Sequence, residues 1–263
     1  ILRARSNYLG MLRLIDDQFK RLVEGVRERG LEEDTIILYL SDHGDFAGEY
    51  GLIRKGPDLP DVLCHIPFIW RGPGMKAQGR ILQSYGNIVD ILPTICDFIG
   101  EEIPFGCQGK SLKPILTEEK LVEEEFDTAY AESGFGGLYW NEKDDLDLIQ
   151  EGASYKMETF DCLNTWTQCG QVRSFWKDGW HIQMDMNGKG YLYHVDEDPE
   201  EIHNCWKEEK YRTVKEEMLC GLAEAMMRAA DPLPAPHARY RTKIHPKGYW
   251  NQPYISPDPG VRR

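Results

Sequence analysis

The sequence predicts an α/β fold followed by a smaller α+β subdomain. Three observations predict it: an amphipathic helix pattern that runs with little linker into an unbroken apolar strand, a second strand-then-helix succession before residue 117, and a meander of short strands beyond it.

The elements follow in order. From Asn7 to Arg29, Tyr8, Leu12, Ile15, Phe19, Leu22, Val23 and Val26 recur at three- and four-residue spacing, and Gly30 supplies a stop. After the loop LEEDT, the run Ile36–Leu40 is apolar at every position rather than alternating, which predicts a parallel strand covered on both faces. A second buried strand is expected over Ile66–Gly72, closed by the turn GPGM. The stretch from Asn87 to Gly100 places Ile88, Ile91, Leu92, Ile95, Phe98 and Ile99 on one helical face. Gly100 acts there as C-terminal cap, and Pro93 sits in an early turn where its missing N–H costs little.

Beyond residue 117 the texture changes to acidic runs (TEEKLVEEEFD, NEKDDLDLIQEG) around the Gly-rich SGFGG. A subdomain boundary is therefore expected there, giving residues 1–117, 118–230 and 231–263 as core portion, small subdomain and tail. Gln171–Val195 reads as an antiparallel meander with turns at KDG and NGKG. DEDPEEIHN then starts a turn or short helix. Lys210–Ala230 reads as a helix aligning Tyr211, Val214, Met218, Leu222 and Met226. The Pro-rich tail carries Tyr240, Tyr249, Trp250 and Tyr254 and is expected to follow an extended path.

With 44 acids against 31 Lys+Arg the net charge is −13, which excludes nucleic acid and anionic membrane as main partners. An anionic ligand would need a local cation. No apolar run is long enough to span a bilayer. Seven cysteines, with no C-x-x-C pair, favour reduced thiols and tilt the expected location toward a reducing, cytoplasmic compartment. The start ILRARSNYLG has neither initiator Met nor signal-peptide layout, so the chain is expected to begin inside something longer.

The apolar run Ile36–Leu40 ends on Ser41-Asp42-His43-Gly44, at the carboxyl end of a strand where open α/β sheets bind ligands. Asp42 there either makes a local turn with a half-exposed His43 beside it, or the carboxylate and a ring nitrogen ligate one divalent cation while Gly44 relieves crowding. Lys55, beside Gly56, reads alone as a solvated charge.

Gly44, Gly48, Gly51, Leu52 and Lys55 together match a Gly-x-x-x-Gly-x-x-Gly-Leu loop with a following lysine. With the preceding helix, HIPFIWRGPG, NIVDILPTICDFIG and LYHVDEDPEEIHN, this resembles the C-terminal part of a sulfatase of the alkaline-phosphatase superfamily. The resemblance implies a mixed sheet sandwiched by helices, with Asp42 and His43 as two metal ligands. The metal is usually calcium, and the imidazole at position 43 keeps manganese open. It implies that Lys55 contacts a sulfate oxygen, a catalytic and substrate-binding role. The family's formylglycine comes from a Cys/Ser-x-Pro-x-Arg motif that no residue here satisfies. The nucleophile is thus expected from a missing N-terminal half or a complementary chain, and this chain alone is expected to be inactive.

The implied substrate is a sulfate monoester, with sulfated carbohydrate as the class. A phosphonate or phosphate ester hydrolase of the same superfamily is the alternative enzyme, and a non-catalytic fragment or binding module is the alternative of another kind. Membrane phosphoethanolamine and glycerophosphate transferases share Ser-Asp-His-Gly but lack the Gly-Leu-x-x-Lys loop, so Lys55 counts against them.

Other residues read as structural. Cys64 and His65 sit just before the second strand, and adjacent residues in extended chain point to opposite faces, so they read as no nucleophile–base pair. His181, His194, His203, His237 and His245 lack zinc-type His-to-His spacing. Asp144–Leu148 reads as a solvated acidic loop, and Trp140, Trp166, Trp176 and Trp180 as subdomain core rather than a sugar-stacking surface.

Overall fold

The computed structural model describes residues 1–56, 58–76, 79, 81–104, 106–117, 126–136 and 170–230. They fall into two units, one drawn from Ile1–Pro73, Ala131–Ser174 and His181–Glu208, the other from Gly74–Tyr130, Phe175–Trp180 and Glu209–Arg263. Helices and antiparallel strand pairs mix along the chain.

In the first unit, helix α1 covers Leu2–Glu28, several residues longer at its start than the sequence pattern predicts. It ends as expected: Gly30 takes φ +67°, and the Leu31 N–H reaches back to the Val26 carbonyl at 3.1 Å, satisfying an otherwise orphaned helix-end acceptor. Strand β1 (Ile37–Leu40) follows, and Phe19 of α1 packs on Tyr39 with ring centroids 4.8 Å apart. Next come β2 (Phe46–Ala47), β3 (Ile53–Arg54), the single-turn helix α2 (Asp61–Cys64) and β4 (Phe68–Arg71).

The partner of β1 departs from the expectation of a parallel strand. β1 pairs antiparallel with β4, Ile37 opposite Arg71 and Leu40 opposite Phe68. The intervening chain is the β2–β3 hairpin and one helical turn, not the long crossover helix that parallel pairing requires. Cover on both faces is also not found among the described residues: α1 buries no residue, and Leu14, Leu22 and Ile69 stay 61%, 69% and 58% exposed.

In the second unit, a capping box between Asn87 and Asp90 opens a short 3-10 turn that continues into α3 (Ile91–Ile99). Gly100 caps it at φ +77°. The buried face is not the predicted one. Asp90, Pro93, Thr94 and Cys96 are inside, while Ile88, Leu92, Ile95 and Ile99 are exposed. Polar anchoring decides this: the Asp90 carboxylate accepts from the backbone N–H of Lys110 and of Asn87, each at 2.8 Å, and Thr94 Oγ1 accepts from Leu112 N–H at 2.8 Å. Helix α4 (Lys113–Thr117) buries Ile115 and Leu116.

A four-stranded sheet has the order β5 (Thr128–Gly136), β6 (Gly170–Lys177), β7 (Trp180–Asp185), β8 (Gly190–His194). β6 and β7 meet at Asp178-Gly179, both at positive φ, the two-residue turn that suits the strand twist of a hairpin. The expected meander is thus present. Ile182 and Leu192 are fully buried in it, each stabilising the fold by about 1.5–3 kcal/mol. Helix α5 (Arg212–Ala230) buries Met218 and Leu222. Trp176 is buried, and Trp180 packs edge-on against Tyr211 at 5.0 Å.

Cys64, Cys96, Cys107, Cys205 and Cys220 are free thiols. No described helix is long and apolar enough to cross a membrane. The readings placed on Trp140, Asp144–Leu148, Cys162, Trp166, Cys169, His237, His245 and the tail from residue 231 lie outside the described residues.

Candidate active site

The β1 carboxyl end is shaped by its own short-range hydrogen bonds. Ser41 Oγ donates to the His43 carbonyl at 2.7 Å, and the His43 N–H donates to Asp42 Oδ1 at 3.0 Å. Gly44 N–H donates to the Leu63 carbonyl at 2.8 Å, tying the turn to α2. Only glycine fits there, because a Cβ at position 44 would stand 2.1 Å from the Val62 carbonyl oxygen.

The β2–β3 hairpin then returns the chain to the strand end. Phe46 pairs with Arg54 and Ala47 with Ile53, so the next residue, Lys55, comes back beside His43. The hairpin tip needs left-handed backbone at three positions, Gly48 (φ +126°), Tyr50 (φ +52°) and Gly51 (φ +76°), which accounts for two of the glycines in the motif.

The three predicted site residues therefore converge. Lys55 Nζ lies 2.6 Å from His43 Nε2, and that nitrogen lies 3.4 Å from Asp42 Oδ2. An ammonium has no acceptor, so Nε2 is the accepting nitrogen and Nδ1 carries the proton, which it donates to the Gly44 carbonyl at 2.8 Å. The carboxyl of Asp42 is held below the usual range: burial opposes this, but the His43 ring, the backbone N–H groups and Lys55 outweigh it. Asp42 is thus anionic and 84% exposed at its side chain.

Asp42 Oδ2 and His43 Nε2, 3.4 Å apart, suit two ligands of one divalent ion, which holds its oxygen donors at about 2.3–2.6 Å; an ion there takes the Nε2 lone pair in place of the Lys55 ammonium, whose donors then turn to another acceptor. One hard and one borderline donor fit calcium or manganese, and two ligands leave most of a six- to eight-fold shell to other groups. His203, Cys205 and Glu208 form a second cluster of metal-type donors, with ligand atoms within 4.8 Å of one another. His-to-His spacing overlooks that cluster because it contains a single histidine. Cys64 ends α2 and His65 caps it, so the two lie on a helical turn and not in extended chain; His65 Nδ1 meets Asp61 Oδ2 at 3.2 Å rather than Cys64.

Sequence reasoning missed the groups behind the site. Glu201, 4% exposed, accepts the Asp61 N–H through Oε2 at 2.8 Å and pairs through its other oxygen with His181 Nδ1. Gln183 accepts the Leu59 N–H at 2.8 Å. Glu201 falls within the LYHVDEDPEEIHN stretch that carries part of the resemblance, which was legible as a motif but not as a contact.

Residues 2–101 match the family model described as Sulfatase. Among curated relatives, the multifunctional alkaline phosphatase superfamily protein PehA of Trinickia caryophylli is 30% identical over 62% of this chain and 33% of its own length. The N-acetylglucosamine-6-O-sulfatase of Bacteroides thetaiotaomicron is 35% identical over 43% of this chain and 20% of its own. Among solved structures, BT4656 in complex with its substrate D-glucosamine-2-N,6-O-disulfate superposes with a TM-score of 0.66 at 23% identity, covering 84% of this chain and 40% of that one. The chain thus spans about a third or less of the length of these curated relatives.

Proposed function

From the membership of this chain in the sulfatase family, with its alkaline-phosphatase-like fold, we propose that it is the C-terminal portion of an enzyme that hydrolyses sulfate monoesters. The supporting observation is the convergence of Asp42, His43 and Lys55 at one strand end. Asp42 and His43 would hold the divalent metal, calcium or manganese, whose positive charge draws negative charge off the ester as the S–O bond breaks. Lys55 donates to a sulfate oxygen and orients it, a fixed cation aimed where charge develops. Gly44 lets the turn approach α2 closely enough to hold both ligands. The attacking group, a formylglycine, comes from the N-terminal half of the same protein or a complementary chain.

The relative that acts on N-acetylglucosamine 6-sulfate supports a sulfated carbohydrate as substrate. PehA, a multifunctional protein of the alkaline phosphatase superfamily, supports a phosphonate or phosphate ester hydrolase of that superfamily as the second reading. Residues 1–117 supply part of the α/β core in this proposal, 118–230 the small subdomain and 231–263 an extended tail. The exposed apolar side chains of α1 and β4 support a core that continues into residues beyond this chain, and the free thiols support a reducing compartment.

The test is turnover of an aryl sulfate and an aryl phosphate by the complete protein, with Asp42→Ala and Lys55→Ala beside it. Sulfate turnover that both substitutions lower sharply is the expected result. Activity unchanged in both variants would remove the assignment.

A further inference from the structure

We propose that Glu201, His181 and Gln183 are positioning residues: they clamp the segment from Tyr50 to Leu63, and through it set where Lys55, Asp42 and His43 stand. The inference rests on the reading of Lys55 as the sulfate-contacting cation.

Among the described residues between the end of β3 at Arg54 and the start of α2 at Asp61 the chain joins no strand ladder. A loop outside the sheet ladders is held largely by groups that accept or donate across space. Here four such bonds come from residues 183–201. Gln183 Oε1 accepts the Leu59 N–H at 2.8 Å while its Nε2 donates to Asp58 Oδ1 at 3.2 Å. Glu201 Oε2 accepts the Asp61 N–H at 2.8 Å. The Tyr50 hydroxyl donates to the Glu200 carbonyl at 2.8 Å. Lys55 lies between these tethers.

The clamp is built at a cost. Glu201 is 4% exposed and His181 is fully buried, and the two face each other in hydrogen-bond contact; a carboxylate is kept out of water only where partners satisfy it. Glu201 also adopts φ +50°, a left-handed conformation that a non-glycine residue holds only when its surroundings over-determine it. From α2 the constraint passes on: the Leu63 carbonyl takes the Gly44 N–H at 2.8 Å, next to His43. One buried carboxylate thereby fixes the helix turn on which the metal-ligand turn rests.

The experiment uses the full-length protein carrying Glu201→Gln, Glu201→Ala or Gln183→Ala. Amide hydrogen exchange is followed over residues 56–65 and over β6 and β7, and kcat and KM are measured on an aryl sulfate. Glu201→Gln keeps an acceptor for the Asp61 N–H and is expected within about twofold of wild type in exchange over 56–65. Glu201→Ala and Gln183→Ala are expected to speed that exchange about tenfold or more with the strand amides unchanged, the scale of one or two lost hydrogen bonds. Their kcat should fall about tenfold with KM nearly constant, as for a group displaced from its transition-state position. Unchanged exchange over 56–65, or acceleration spread equally through the strands, would overturn the clamp. Absence of ester hydrolysis in the wild type would instead remove the functional reading, and the exchange pattern would still decide the clamp.

Discussion

Lys55 Nζ stands 2.6 Å from His43 Nε2, a cation donating into the one ring nitrogen that can accept. The ammonium is therefore already at the strand end, delivered by the return of the β2–β3 hairpin. Replacing it with Ala removes a charged donor without touching the core, since Lys55 is only half-buried. On the proposed reading, Lys55→Ala in the complete protein is expected to lower kcat on a sulfate ester by about 10²–10³, the cost of one preorganised donor. Thermal unfolding should stay close to wild type.

Asp42 and His43 predict a metal requirement. Their donor atoms are 3.4 Å apart, and an exposed anionic carboxylate is the stronger attraction for a hard ion. Chelator treatment of the complete protein should abolish turnover, and adding back calcium or manganese should restore it. Asp42→Ala should raise the metal concentration needed for half-maximal activity, read by titration with each ion.

Gly44→Ala tests the turn itself. The new methyl would meet the Val62 carbonyl oxygen at 2.1 Å, so either the turn or α2 has to move. A loss of about 1–3 kcal/mol is expected from such overpacking, measured by denaturant unfolding, together with a fall in activity at saturating metal.

The candidate site was legible only through the resemblance that its glycine-spaced motif carries, and that motif could be read because its parts are local: Asp42, His43 and Gly44 are consecutive, and the β2–β3 hairpin that brings Lys55 back has left-handed glycines at 48 and 51. The meander was legible for the same reason, with Asp178-Gly179 as a turn signal. What was not legible is long-range. The antiparallel partner of β1 depends on how residues 41–67 are routed, which the apolar run Ile36–Leu40 does not encode. The buried face of α3 is chosen by Asp90 and Thr94 bonding to residues 110 and 112, against the aliphatic stripe that periodicity picks out. Glu201 reaches Asp61 across 140 residues, and no local pattern announces such a contact.

Thiol reactivity separates two cysteines. Burial, reinforced by the nearby Asp61 and Glu201 carboxylates, pushes the Cys64 thiol up to about 12, whereas Cys220 is exposed. Only the thiolate alkylates. With iodoacetamide at pH 8, peptide mapping should find Cys220 modified early and Cys64 intact until denaturant is added. Early modification of Cys64 would contradict the packing around α2.

His65 gives a pH signature with a defined sign. Its Nδ1 meets Asp61 Oδ2 at 3.2 Å, and that hydrogen bond, against some burial and with the Asp61 charge, raises the imidazole above its ordinary value. A raised folded-state value means that the folded protein holds the proton more tightly than the unfolded chain. The stabilisation is fully present below the unfolded value near 6.5 and is lost as the pH rises through the folded one. Because the His65 side chain is 80% exposed, the pair is worth about 0.2–1 kcal/mol at most. His65→Ala should therefore unfold more easily than wild type at pH 5.5 and equally at pH 8.5. Titration of the His65 ring by NMR should give a midpoint above the ordinary histidine value, and Asp61→Asn should return it toward that value. A midpoint unchanged by Asp61→Asn would mean that the pair does not persist in solution.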